Sequence, residues 1–192
     1  MKSIVLAVSL VFVPTAAFAQ GAIGLDVAWD DDPEEFAIGV NAALHTGGVV
    51  DSSRLGLSAR YFLIPNEDIL GGELSSTFIS FNVDGQYLFF KGFPALGYGI
   101  LGLNLTYAEA SAETLGVSIS EDALGLGLNL GAGFEFRLGD TVSAFGEGKL
   151  VVPLADSSDD PSVDFNTRFT GVAGVRFYFG GGGENDMNLS DF

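Results

Sequence analysis

Large apolar side chains occupy every second position through most of this chain. In LGLGLNLGAGFEFRLGD, from Leu124 to Asp140, the residues Leu124, Leu126, Leu128, Leu130, Phe134 and Phe136 alternate with glycine, asparagine, Glu135 and Arg137. A period of two belongs to a β-strand with unlike faces. The pattern recurs elsewhere. Ile23, Leu25, Val27 and Trp29 oppose Ala22, Gly24, Asp26 and Ala28, and Phe36, Ile38, Val40, Ala42 and Leu44 oppose Ala37, Gly39, Asn41, Ala43 and His45. Leu55, Leu57, Ala59, Tyr61 and Leu63 oppose Arg54, Gly56, Ser58, Arg60 and Phe62, and Ile79, Phe81, Val83, Tyr87 and Phe89 oppose Ser80, Asn82, Asp84 and Gln86. Further on, Val142, Ala144, Leu150, Val152 and Leu154 oppose Ser143, Phe145, Glu147 and Lys149. Near the end, Phe165, Phe169, Ala173, Val175, Phe177 and Phe179 oppose Asn166, Arg168, Thr170, Gly174, Arg176 and Tyr178. One segment is irregular. Leu101, Leu103, Leu105 and Tyr107 oppose Gly102, Asn104 and Thr106, but Tyr98 and Ile100 break the phase, and a bulge near Gly97 or Gly99 would restore it.

These make eight candidate strands with no helical pattern between them. The connections alternate in kind. DDDPEE, IPNEDILGGEL, EASAETLGVSISED and DSSDDPSVD are acidic and mostly long, whereas the intervening ones include the short KGFP and GDT. An up-and-down meander with long loops at one end and tight turns at the other accounts for this.

Alternation alone does not say which face is outside, since a soluble lipocalin-like barrel alternates too. The charges decide. Asp26, Arg54, Arg60, Asp84, Glu135, Arg137, Glu147, Lys149, Arg168 and Arg176 all fall on the face that otherwise carries Gly, Ala, Ser and Asn. That face makes a poor solvent surface and a good crowded interior, while the opposite face of Leu, Phe, Val and Ile suits lipid. In hydrocarbon every backbone N–H and C=O must be paired, so the strands must close. The expected fold is an all-β, eight-stranded antiparallel up-and-down transmembrane β-barrel. Side chains fill the interior of so small a barrel. The ten charged residues are expected to pair there into a network that plugs the lumen, because unpaired buried ions cost several kcal/mol each. Neutralising Arg137 or Arg168 should then destabilise the barrel without opening it.

Composition supports an exported protein. Lys2, the apolar run IVLAVSLVFVPTAAF and the small residues of AFA before Gln20 form a signal peptide, residues 1–19, with cleavage expected after Ala19. Pro14 and the small residues make the run too short for a membrane helix. There is no cysteine, so disulfides do not hold the fold. The formal charge of −17 argues against nucleic acid as a partner.

The segment VAGVRFYF places Gly174, Phe177 and Phe179 where the assembly signal of bacterial outer-membrane barrels has a glycine and two hydrophobic residues. Over residues 21–179 the chain resembles the small outer-membrane β-barrel family of the OmpA and OmpX type. It departs at Val172, where that signal prefers a polar residue, and in continuing past Phe179. The tail GGGGENDMNLSDF ends in Phe192 but has Met187 in place of the signal's glycine. Residues 20–179 are therefore read as the barrel domain and 180–192 as a flexible periplasmic tail. The resemblance implies a bacterial outer-membrane location. It implies outer-membrane lipid, lipopolysaccharide and the barrel-assembly machinery as partners, and a structural or interactive role for envelope integrity or loop-mediated binding. A narrow porin-like channel, a lipid-modifying enzyme and a soluble lipocalin-like carrier are the alternatives.

Candidate chemistry is sparse. GLGLNLG approaches a dinucleotide-binding fingerprint, but strand rather than helix follows the glycines. His45 is the single histidine, close to Thr46, Ser52 and Ser53, with no nucleophile, base and orienter set around it. No cofactor, metal or catalytic residue is assigned, and no enzyme activity is expected. The acidic connections serve solubility by repulsion, or bind Ca²⁺ or Mg²⁺ weakly through clustered oxygens. Trp29, Tyr61, Tyr107, Phe89 and Phe179 stand where interfacial aromatic girdles would lie.

Overall fold

The computed structural model describes residues 21–32, 34–45, 52–65, 67–69, 72–92, 94–114, 117–157 and 166–179. The expected signal peptide and tail lie outside these. The strands are β1 (Gly21–Asp31), β2 (Glu34–His45), β3 (Ser53–Phe62), β4 (Glu67–Ile69), β5 (Gly72–Gly92), β6 (Ala95–Thr114), β7 (Val117–Arg137), β8 (Val142–Asp156) and β9 (Arg168–Phe179). All pairings are antiparallel. β1 pairs with β9, joining first stave to last, and β3 pairs with β5. The result is a closed eight-stranded barrel, with β4 a short spur on β5 that the sequence pattern does not announce. We call the end with Gly21 and Phe179 the near end. The end where β6 turns into β7 is the far end.

The alternation of the sequence becomes the wall of the barrel. Phe134 is 64 % exposed and its neighbour Glu135 0 %. Leu25, Val27, Ile38, Leu103 and Leu130 face out, while Asp26, Asn41, Asn104 and Asn129 are buried in the lumen. The glycines of the inner face leave room for long side chains on neighbouring strands. A Cβ at Gly133 would lie 2.6 Å from the Tyr98 ring, one at Gly39 2.7 Å from an Arg60 methylene, and one at Gly102 2.2 Å from an Asp84 carboxylate oxygen. Large and small residues thus interdigitate across strands, as close packing requires.

Two sequence-based expectations about β5, β6 and β7 need correction. Tyr98 and Ile100 do not break phase, and β6 carries no bulge at Gly97 or Gly99. The irregularity lies in the partner strand, where the β5–β6 register shifts between Leu88 and Phe90. Phe89 and Phe90 both face out as a result, and Tyr98 and Ile100 point inward with Leu88 and Leu96. The second correction concerns EASAETLGVSISED. It is not a loop. Its backbone continues β6 and β7 in unbroken register from Ala108↔Ala123 to Thr114↔Val117.

Strands β5 and β7 have 21 residues each and β6 has 20, about twice what a tilted strand needs to cross a bilayer. The surplus rises above the far end, and the polarity of the wall reverses there. On the outer face Trp29 pairs with Phe36, and one step farther Asp31 pairs with Glu34. On the β6–β7 hairpin, separated from β1 by β8 and β9, Tyr107 pairs with Leu124, and one step farther Glu109 pairs with Asp122. On the inner face the change is opposite, from polar Ser80 and Thr106 to apolar Phe78, Ala108 and Ala123. From Leu124 to Phe136 the outer apolar run spans about 28 Å along the barrel axis, at about 3.3 Å per residue and a tilt of about 45°. That matches the band of about 25 Å expected of a wall in hydrocarbon.

Candidate functional site

The lumen is filled in three layers. Toward the near end Leu88, Leu96, Tyr98 and Ile100 form an apolar cluster on β5 and β6. Toward the far end Phe62 and Phe78 meet edge-on, with centroids 4.8 Å apart, and pack with Ala28, Ala37, Ala123, Phe145 and Val172. Ile64 and Ala108 press against this second cluster. Between and beside the clusters lies a polar belt.

Arg176 is the hub of the belt. Its guanidinium donates to Asn41 Oδ1 at 2.9 Å, Glu135 Oε2 at 3.0 Å and Glu147 Oε1 at 2.9 Å, and lies over the Phe145 ring at 3.8 Å. Glu135 also accepts from Arg54 Nη1 at 2.9 Å, from Ser143 at 2.7 Å and from the Tyr178 hydroxyl. Glu147 accepts from the Tyr98 hydroxyl at 2.9 Å and has Lys149 Nζ at 3.6 Å. Lys149 also reaches Asp84 at 3.1 Å, and Arg60 reaches Asp26 at 2.8 Å. Asn82, Asn104 and Asn129 link their amides to each other, to Ser80 and to Asp84. Charge-assisted bonds of this kind offset the cost of desolvating the ions only when nearly every one is made.

Of the ten charged residues singled out in the sequence, nine are buried in this belt. Arg137 is the exception. It is half-buried at the near mouth, with its guanidinium 5.0 Å from the centre of the Tyr178 ring. One member escapes the sequence reading. Asp30 is not part of an acidic loop but is buried inside the wall, 3.2 Å from Arg168 Nε and accepting from Thr170 at 3.0 Å. Its inward position continues the parity of Asp26 and Ala28, which is the available signal. Arg168 also donates to Thr106 at 2.7 Å and Asn104 at 3.1 Å. Asp31 accepts from the Phe169 backbone N–H at 2.6 Å, so the first strand fastens the start of the last one twice.

Gly174 sits in register with Asp26 and Phe145, where any side chain would meet them, and Phe177 and Phe179 are exposed on the outer face. His45 ends β2, in register with Arg54. Among the described residues no three His, Asp or Glu side chains are grouped so as to hold a metal ion.

The closed, eight-stranded, all-antiparallel wall is the fold of solved small outer-membrane β-barrels. Three solved members share the fold. A major outer membrane protein from Thermus thermophilus aligns with a TM-score of 0.64 at 11% identity, covering 84% of this chain and 100% of that one. Ail, the attachment invasion locus protein of Yersinia pestis, aligns at 0.56 with 14% identity, over 83% and 98%. It has also been solved with the heparin analogue sucrose octasulfate. The N-terminal β-barrel domain of Pseudomonas aeruginosa OprF aligns at 0.55 with 16% identity, over 84% and 98%. No protein-family model and no curated protein matches the chain.

Proposed function

We propose that this chain is a non-conducting barrel of a bacterial outer membrane, with a structural and interactive role exercised at its far end. The observation that carries the reading is the filled lumen, in which apolar clusters flank a paired polar belt. On this reading such a layer leaves water no continuous path, and opening one would strand several buried charges at once. Purified protein in planar bilayers is expected to show no stable conductance steps. Large, steady steps would overturn the reading and favour the channel.

On this reading the leader is removed after Ala19, the near end and the tail face the periplasm, and the far end faces outward. Gly174, Phe177 and Phe179 serve as the signal to the assembly machinery. Lipopolysaccharide phosphates and the far-end carboxylates share a sign, so contact between them needs bridging Ca²⁺ or Mg²⁺. Catalysis has no place in it. His45→Ala in cells is expected to leave lipid A unchanged by mass spectrometry, and an altered lipid A profile would instead support a lipid-modifying enzyme.

A further inference from the structure

The bases of this protein are unevenly placed. Seven follow Lys2 in the chain. Five of them, Arg54, Arg60, Lys149, Arg168 and Arg176, are buried with the five buried carboxylates Asp26, Asp30, Asp84, Glu135 and Glu147, so the belt is balanced in charge. The other two, Lys91 and Arg137, both stand half-buried at the near end. Outside the belt, Asp140 in the β7–β8 turn is the one carboxylate at that end among the described residues. The near mouth is thus where bases outnumber acids. The charges of Arg54, Lys91 and Arg137 all bear on the His45 imidazole, which groups the three cations around it.

Arg54 adds a second, independent sign. It lies in the row just inside the mouth, level with His45 on β2 and Gln86 on β5. Its Nε donates to Gln86 and its Nη1 to Glu135. Its Nη2 has no hydrogen-bond partner among the described residues, although the residue is 2 % exposed. The Tyr98 ring, 4.4 Å away, covers the flat face of the guanidinium and accepts none of its in-plane protons. A buried N–H without an acceptor is costly, and an anion held at the mouth supplies one.

We propose that the near mouth is a binding site for an oxyanion, a phosphate or carboxylate group held by Arg54, Lys91 and Arg137 with His45 at its edge. A guanidinium presents N–H groups in a fork that matches two oxygens of such a group. A halide offers no such pair of oxygens, and a cation meets the wrong sign. Two sources offer the same chemistry. One is a free anion, which on the orientation proposed above comes from the periplasm. The other is the chain itself, since Glu184, Asp186 and Asp191 follow Phe179, the last residue of β9, at this end. The site lies at the opposite end from the interactive role proposed above and does not depend on it.

The test uses the full chain refolded in dodecyl maltoside micelles, which carry neither charge nor phosphate, and a second chain ending at Gly180. His45 is the single histidine, so its ring gives one set of NMR signals beside the site. Inorganic phosphate is titrated at constant pH against sodium chloride of equal ionic strength. Phosphate is expected to shift the His45 signals saturably and chloride is not, since screening acts alike for both. Lys91→Gln combined with Arg137→Gln should weaken phosphate at least about tenfold, the scale of one lost charge-assisted hydrogen bond. Arg54→Lys keeps the charge beside Glu135 but loses the fork, and should weaken it too. Heat-modifiable gel mobility verifies that each variant folds. If the tail is the occupant, the shortened chain has shifted His45 signals before any phosphate is added and binds phosphate more tightly than the full chain. If a free anion is the ligand, the two chains titrate alike. His45 signals that respond equally to phosphate and chloride in both chains, or variants that bind phosphate as the parent does, would each overturn the proposal.

Discussion

Arg176→Met is expected to lower the stability of the folded barrel by about 3–5 kcal/mol, the cost of breaking a buried ion-pair network from one side. The substitution keeps much of the apolar volume over Phe145 but removes the guanidinium. Glu135 keeps Arg54, and Glu147 is left with Lys149 at 3.6 Å, a cation it shares with Asp84. Five buried carboxylates, Asp26, Asp30, Asp84, Glu135 and Glu147, then face four buried bases. The protein has one tryptophan, Trp29, so its fluorescence during denaturant unfolding in detergent micelles reads the loss. Arg176→Lys should fall between, since an ammonium keeps the charge but loses the planar fork that reaches both glutamates. Adding Glu147→Gln to Arg176→Met should recover part of the loss. An Arg176→Met barrel as stable as the parent would show that the belt is not what closes the lumen.

Gly133→Leu is the second large effect. Its Cβ alone would intrude to 2.6 Å from the Tyr98 ring. That ring is wholly buried, with Arg54 stacked on it at 4.4 Å and Glu147 bound to its hydroxyl. Overpacking of this kind costs about 1–3 kcal/mol. Tyr98→Ala alone leaves a cavity and removes one of the two hydrogen bonds to Glu147 Oε1, for about 3–5 kcal/mol, on the scale of aromatic truncations. The combined variant should be more stable than the sum of the two losses implies, by about 1–2 kcal/mol, because leucine enters the vacated space. Additive losses would mean that the glycine is not there to admit the tyrosine.

These effects also mark what can be read from the chain and what cannot. The period of two is local, so the wall, the inward side and nine of the buried charges are legible from neighbouring residues. Partnership is not local. Arg176 and Asn41 are 135 positions apart, and Thr170 and Asp30 140 apart, and only the register of the closed sheet brings them together. Tyr98 and Ile100 look out of phase only if the lumen is taken as polar along its whole length, whereas its ends are apolar. Alanine, serine and glutamate form strands weakly. The raised part of β6 and β7 therefore passes for a loop, although its alternation has only exchanged faces.

The two arginines of β9 set an order of events. Arg168 and Arg176 bind side chains of β1, β2, β6, β7 and β8, all synthesised before the strand that carries them. Until β9 arrives, Asp30 lacks Arg168, and Glu147 has the Tyr98 hydroxyl and its long contact with Lys149 but not Arg176. A half-assembled barrel is therefore electrically unfinished, with excess negative charge lining a sheet still open at one seam. Closing the seam and completing the charge balance are the same step. A chain cut short before Arg168 should stall as an incomplete sheet rather than settle as a smaller barrel.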